Sequence, residues 1–198
     1  MALMKVVAFN GSPREDGNTA FLLRTALEEI RRAGIETELV QLGGSEIHGC
    51  TACLKCTVNK DGRCSHEDDM ANEFMEKMFA ADGVILGSPT YFADVSTETK
   101  ALIDRAGYVA RANGNPLRRK PGAAVIAMRR AGGIHAFDTI NHFFLINEMI
   151  VPGSSYWNVA VAREPGDAAR DAEGVRTMET LGRNIAWLLQ KLSPQPAG

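Results

Sequence analysis

Long apolar runs are missing from this chain. No stretch of the 198 residues comes near the roughly 18 consecutive apolar side chains that a membrane-crossing helix needs, and the opening MALMKVVAF leads straight into a strand-like segment without a signal-peptide pattern. The expectation is a cytoplasmic protein with no membrane partner. An excess of one charge is missing too: Lys and Arg number 22 against 24 Asp and Glu, and the net charge is −2. Scattered as they are, these charges leave no basic stripe for nucleic acid, so no nucleic-acid partner is expected. The densest basic run, Arg118-Arg119-Lys120, reads as a solvated face before a strand, with a phosphate contact as the alternative. Cysteine is absent outside one window, since all four lie between Cys50 and Cys64. That confinement excludes a dispersed disulfide framework and points, in a reducing compartment, to a metal or redox site. The first loop carries neither G-x-G-x-x-G nor G-x-x-x-x-G-K-[ST], which disfavours a conventional nicotinamide-binding Rossmann domain and a P-loop nucleotidase. No internal repeat or second domain is visible, and 45% hydrophobic composition suits one packed core. Residues 1–198 read as one domain with a cysteine-rich insertion at about 47–67.

What is present is organised around Val6 to Thr19, VVAFNGSPREDGNT. Val6, Val7 and Phe9 read as a buried strand, and a loop of small polar residues leads into a helix from Asn18 or Thr19 to Ala33. Leu22, Leu23, Ala26, Leu27 and Ile30 recur there with a period near 3.6. Gly34 stops this helix, and Ile35 to Leu42 alternates as a second strand. Beyond the cysteines the pattern gives a short helix with Met70, Phe74, Met78 and Phe79 inward and Asp68 or Asp69 at its start. A strand follows from Gly83 to Leu86, then a helix from Thr97 to about Val109 capped by Ser96. After the break at Asn113 to Pro116 come a strand from Ala123 to Met128, an apolar helix with Phe137, Ile140, Phe143, Phe144 and Ile146, a short strand around Met149 to Val151, and a final helix from Ala172 to Leu192. Five buried strands alternating with helices predict an α/β fold with a parallel sheet covered on both faces. Ligands collect beyond the C-terminal strand ends of such sheets, where the strand order reverses.

Three loops belong at that rim: Gly11 to Thr19, Ser88 to Ala93, and Arg129 to Gly133. A helix N-terminus with unpartnered N–H groups favours an anion. Ser12, Asn18 and Thr19 add donors and Arg14 adds charge, an inventory suited to a compact monophosphate. In the second loop Pro89 shapes the approach while Tyr91 and Phe92 offer a flat apolar wall. In the third, Gly132 and Gly133 allow close backbone approach and Arg129 or Arg130 could stabilise charge gained on reduction. Taken singly these residues are more often caps, solvent contacts and core packing; together they suit flavin chemistry.

The GSPREDGNT loop, the GSPTY loop followed by TKALIDR, and RRAGGIHAF ahead of NHFF and VPGSSYWN together resemble the NADPH-dependent FMN reductase and iron-sulfur flavoprotein branch of flavodoxin-like proteins, from Lys5 through Leu192. The resemblance implies a flavodoxin-like three-layer sandwich with a five-stranded parallel sheet in the order 2-1-3-4-5. It implies an FMN phosphate held by Ser12, Arg14, Asn18 and Thr19, a flavin ring beside Pro89, Thr90, Tyr91 and Phe92, and a later contact loop of Arg129, Gly132 and Gly133. It also implies a homodimer or homotetramer with flavin sites near subunit boundaries. Tyr156 and Trp157 either complete a neighbouring site or pack internally.

The thiols run Cys50-x2-Cys53-x2-Cys56-x7-Cys64, resembling the compact motif that holds a [4Fe-4S] cluster near FMN in iron-sulfur flavoproteins. The seven-residue interval is at the long end of that pattern, and Ser65 stands where ferredoxins place proline, so zinc and free redox thiols remain alternatives. His48 and His66 flank the group as surface or outer residues. His135 reads as a helix-start or hydrogen-bonding residue, and Asp104 and Arg105 as helix-surface or subunit contacts. The implied function is an FMN-dependent electron-transfer oxidoreductase relaying electrons between flavin and cluster, with NAD(P)H as donor and a redox protein or small molecule as acceptor. The alternatives are a cluster-free NAD(P)H:flavin or quinone reductase and a flavin- or thiol-based redox-sensing interaction protein.

Overall fold

A computed structural model describes residues 4–192. Its sheet has five parallel strands, β1 (Lys5–Asn10), β2 (Glu36–Gln41), β3 (Gly83–Pro89), β4 (Gly122–Met128) and β5 (Val159–Val161), in the order β2-β1-β3-β4-β5. This is the flavodoxin-like order that the resemblance implies. Helices α1 (Asn18–Arg32), α2 (Lys55–Asn59), α3 (Ala71–Ala80), α4 (Thr97–Ala112), α5 (Gly133–Ile146) and α6 (Ala172–Leu192) complete the fold with a 3-10 turn at Asp167–Arg170.

The pleat explains why the inner strands are apolar at nearly every position. Successive side chains point to opposite faces, and each face has its own core. Val7 and Phe9 of β1, with Val84 and Leu86 of β3, pack under α3, α4 and α5. Val6 and Ala8, with Ile85, pack under α1 and α6. Helix ends follow local signals: the Ser96 hydroxyl accepts the Thr99 N–H at the start of α4, as the sequence predicts. One side chain expected inside is outside: Met70 precedes α3 as its N-cap and is 38% exposed.

The fifth strand lies elsewhere than expected. Met149 to Val151 forms a single bridge, Ile150 with Pro121, in which the Ile150 N–H donates to Lys120 O at 3.0 Å and its carbonyl accepts from the Gly122 N–H at 2.9 Å. Pro152 has no N–H to extend that ladder, so the chain leaves the sheet and rejoins β4 at Val159, opposite Ile126. The edge of β4 is therefore covered in two pieces, with the Ser154 to Asn158 loop between them.

Candidate functional site

The strand order reverses between β1 and β3, and the loops after β1, β3 and β4 meet beyond that point. The first is held from below by two amides. Asn10, fully buried, donates to Gln41 Oε1 (2.7 Å) and to the Arg14 carbonyl (3.3 Å), and accepts the Ser12 N–H (3.2 Å). Gln41 in turn donates to the carbonyls of Ser12 (2.7 Å) and Gly43 (2.6 Å). At Gly11 only glycine fits: its N–H donates to Gly87 O at 2.7 Å, and a Cβ there would lie 2.8 Å from that carbonyl and collide with Thr99 Oγ1. Gly17 is the N-cap of α1 and brings no side-chain cap, so the first-turn N–H groups face the loop without a partner side chain, and no acidic residue occupies that turn. Ser12 is buried beside them, its Oγ accepting the Arg14 N–H at 3.2 Å and keeping its own hydrogen to donate. Thr19 is buried in the same turn and Arg14 is exposed at the lip. The Asn18 side chain is engaged elsewhere, donating to Glu164 O (2.9 Å) and accepting the N–H groups of Gly166 and Ala168 (both 3.1 Å); its backbone N–H, at the first helical position, is what it offers the loop.

The second loop stores strain. Tyr91 and Asp94 exchange backbone hydrogen bonds across a two-residue turn whose central residues, Phe92 (φ 47°) and Ala93 (φ 67°), are both left-handed. Such turns normally use Asn-Gly, and a non-glycine residue in that region costs about 1 kcal/mol or more. The turn holds the Phe92 ring wholly in solvent, with Tyr91 half exposed beside it. Below them Thr90 Oγ1 is buried with no hydrogen-bond partner in the protein. Asp94 anchors the turn, accepting from the Val95 N–H and the Thr139 hydroxyl, each at 2.8 Å, with His135 Nε2 3.6 Å from its other oxygen. The third loop closes on the second at Gly132, whose φ of 84° starts α5 and where a Cβ would sit 3.1 Å from Ala93 Cα. Gly133 lies as tightly against Met128, and Arg129 is exposed. Thr90 and Ala93 thus meet Gly132, and the parallel strand order puts Ser12 and Thr19 at the same C-terminal edge of the sheet.

The cysteine segment begins at the same end of the sheet. Gly43 abuts the first loop so closely that a Cβ would lie 2.5 Å from Ser12 O. All four cysteines line one pocket against α4, together with Ser65 and Arg105. The backbone is strained here as well: Ala52 (φ 53°) and Leu54 (φ 55°) are left-handed on either side of Cys53, and Leu54 passes directly into the helical Lys55. A left-handed residue joined to a helical one turns successive N–H groups to one side, the nest geometry found at phosphate and iron–sulfur sites, and the Ala52 N–H already donates to Cys50 Sγ at 3.4 Å. Hydrogen bonding from the Ser65 hydroxyl, seconded by the Lys55 N–H, pulls the exposed Cys53 thiol down to about 7. Burial pushes the Cys56 thiol up. Among the described residues no three His, Cys, Asp or Glu side chains converge tightly enough to hold a single metal ion.

Polar side chains from the helices anchor the segment. Arg105, expected on a helix surface, is 1% exposed; it is ion-paired with Asp69, and it donates to the carbonyls of His48 (3.3 Å) and His66 (2.8 Å). Asp69 accepts the N–H groups of His48 (2.8 Å) and Ala71 (3.0 Å). Asn72 bonds both backbone groups of Cys64, and Asn113 accepts the Gly62 N–H. The sequence held one signal for Arg105: it falls in register with Ala101, Leu102, Ala106 and Val109, the buried stripe of α4. Tyr156 and Trp157 meet edge-on, centroids 4.9 Å apart, and both remain half exposed.

A model of the NADPH-dependent FMN reductase family matches residues 4–164. An iron-sulfur flavoprotein of Methanocaldococcus jannaschii is 41% identical over 190 residues, spanning 92% of this chain and 96% of that one. An iron-sulfur flavoprotein of Methanosarcina thermophila is 32% identical over 189 residues, spanning 94% and 96%. Among solved structures, RosB with a bound 8-demethyl-8-formylriboflavin-5'-phosphate intermediate has a TM-score of 0.77 at 17% identity, covering 96% of this chain and 80% of its own. A flavodoxin from the domain Archaea has a TM-score of 0.62 at 14% identity, covering 94% and 99%. At these identities the two structures speak to the fold. The strand order, the three-loop rim and these relatives agree: the chain belongs to the NADPH-dependent FMN reductase family, in its iron-sulfur flavoprotein branch, and is an FMN-dependent oxidoreductase.

Proposed function

We propose that this protein relays electrons between FMN at the three-loop rim and a [4Fe-4S] cluster on Cys50, Cys53, Cys56 and Cys64. The observation that carries this reading is the convergence of all four thiols on one pocket whose chain segment starts against the phosphate-type loop. The rim fits FMN on its own terms. It has an uncapped helix start for a phosphate, a buried Thr90 hydroxyl without a partner, and a strained turn presenting Tyr91 and Phe92. Zinc needs four donors about 2.3 Å from one point. A cluster spreads its thiolates over four irons, and all four thiols line one pocket here. Bound FMN would supply the redox chemistry, able to take one hydride, two electrons with one proton, from a nicotinamide and to give electrons up singly.

The protein's part is to seat and orient. Ser12 and the first turn of α1 would hold the phosphate with Arg14 at the lip, Thr90 would bond a polar ring edge, and Tyr91 and Phe92, with Arg129, Gly132 and Gly133, would contact the ring. NAD(P)H as donor, a redox protein or small molecule as acceptor, a cytoplasmic location, and a homodimer or homotetramer in which Tyr156 and Trp157 reach a neighbour's rim belong to the same reading. Anaerobic purification with FMN, iron and sulfide assays tests it, one FMN and one cluster per chain being expected. FMN without iron or sulfide after reconstitution overturns the cluster, and failure to bind FMN overturns both.

One observation favours a thiol-based alternative: the exposed Cys53 thiol lies near 7 and would be half ionised at neutral pH without metal. In that reading alkylation of Cys53 in iron-free protein rises through a midpoint near pH 7, and partner affinity follows its oxidation state.

A further inference from the structure

We propose that Arg105 is the cation of the thiol pocket, its Nε–H donating to a sulfur of the cluster and its charge favouring the cluster's reduced form. This rests on the cluster reading above and assigns a role to a residue outside the four ligands. Arg105 is 1% exposed and lines the pocket together with all four cysteines. Its terminal nitrogens are taken: Nη1 serves Asp69 and the His48 carbonyl, and Nη2 serves the His66 carbonyl. The Nε–H is buried and has no partner in the protein.

A guanidinium presents its donors in a fixed planar fork, so with the two Nη groups pinned the Nε–H has no freedom to turn towards water. A buried donor left unpaired is costly, and sulfide or thiolate sulfur within the pocket is the acceptor that removes the cost. Asp69 pairs with Nη1 and offsets much of the guanidinium charge, so the Nε–H hydrogen bond to sulfur carries most of the effect. Reduction adds one negative charge to the cluster, so a neighbouring cation and a hydrogen bond to sulfur both favour the reduced state.

A merely structural Arg105 would clamp His48 to His66 and leave the potential alone. The test compares wild type, Arg105→Lys, and the double variant Arg105→Met with Asp69→Asn, which removes both buried charges together and so avoids stranding either one. Each full-length protein is reconstituted anaerobically with iron, sulfide and FMN, and the cluster is titrated by EPR-monitored potentiometry with FMN in the same sample as internal reference. At the wild-type midpoint the reduced-to-oxidised ratio of the cluster should fall about tenfold in the double variant, equal to about 59 mV for one electron. Arg105→Lys should shift it less and in the same direction, with the FMN potential unmoved. Clusters present at wild-type potential in both variants overturn the assignment. Loss of the cluster from both while wild type loads normally makes Arg105 a structural clamp and overturns it too. A wild type that binds FMN but no cluster overturns this inference together with the reading beneath it.

Discussion

The three-loop rim and the cysteine segment sit at the same end of the sheet and are built in opposite ways. The rim hangs from strand ends, its shape set by backbone: Gly11 against Gly87, Gly132 against Ala93, and the Asn10–Gln41 amide pair beneath. The cysteine segment has one five-residue helix of its own, and is fastened from outside by Arg105, Asp69, Asn72 and Asn113. A site made from regular elements inherits their rigidity. A site made from a pinned loop depends on its few pins and on what fills it.

Breaking the largest pin should separate the two regions most. Asp69→Ala leaves the Arg105 charge buried and unpaired, and losing one partner of such a pair costs about 3–5 kcal/mol. Urea unfolding should show that loss, with amide exchange accelerating first over residues 47–67. FMN affinity at the rim should change by less than about threefold, a smaller effect than 1 kcal/mol. Equal deprotection of the rim would erase the distinction. The pair also sets an acid limit. Burial opposes ionisation of Asp69, but the His48 and Ala71 N–H groups and the Arg105 charge outweigh it and hold the carboxyl below its usual range. A depressed carboxyl contributes stability above its unfolded pKa of about 3.9 that fades as pH falls through the lower folded value. Stability attributable to the pair should therefore be intact at neutral pH and lost below about pH 4, and Asp69→Asn should flatten that part of the profile.

The rim should break through its backbone. Gly11→Ala drives a methyl against Gly87 O and Thr99 Oγ1, and overpacking of this kind costs about 1–3 kcal/mol. FMN affinity, read by fluorescence quenching, should fall at least as far as stability because the first loop moves with Gly11. Ser12→Ala tests the proposed phosphate contact more gently. A hydrogen bond to a charged group is worth about 1.5–3 kcal/mol, so FMN affinity should fall about tenfold, with thermal stability nearly unchanged. An Ala variant that binds FMN as wild type does would take Ser12 out of the site.

The same contrast decides how much was readable in advance. Signals local in sequence came through: the Ala172–Leu192 helix, the Ser96 cap and the strand–loop–helix around Ser12 are specified by residues within a few positions of one another. What depends on distant partners did not. The edge strand forms at Val159–Val161 because Pro152 ends the first attempt, a choice made by pairing with β4. The Asn18 side chain is claimed by residues 164–168, and the burial of Arg105 is decided by Asp69 and two carbonyls of the cysteine segment. The spacing of the cysteines was legible, whereas the means by which the fold pins them was not, because a charged residue on a helix reads as surface until its partner is found.

The smallest effect expected has opposite signs in stability and binding. Phe92 is held left-handed with its ring in solvent, so in the protein alone it gives up conformational ease and buries nothing in return. Phe92→Gly removes that strain and should raise unfolding stability by about 1 kcal/mol, partly offset by the greater backbone entropy of glycine in the unfolded chain. If the turn exists to hold an aromatic ring against flavin, the same substitution should weaken FMN binding by severalfold and slow its reduction by NADPH while the melting temperature stays level or rises. A variant that is both more stable and unimpaired in flavin binding would mean that the strain at Phe92 serves something other than this rim.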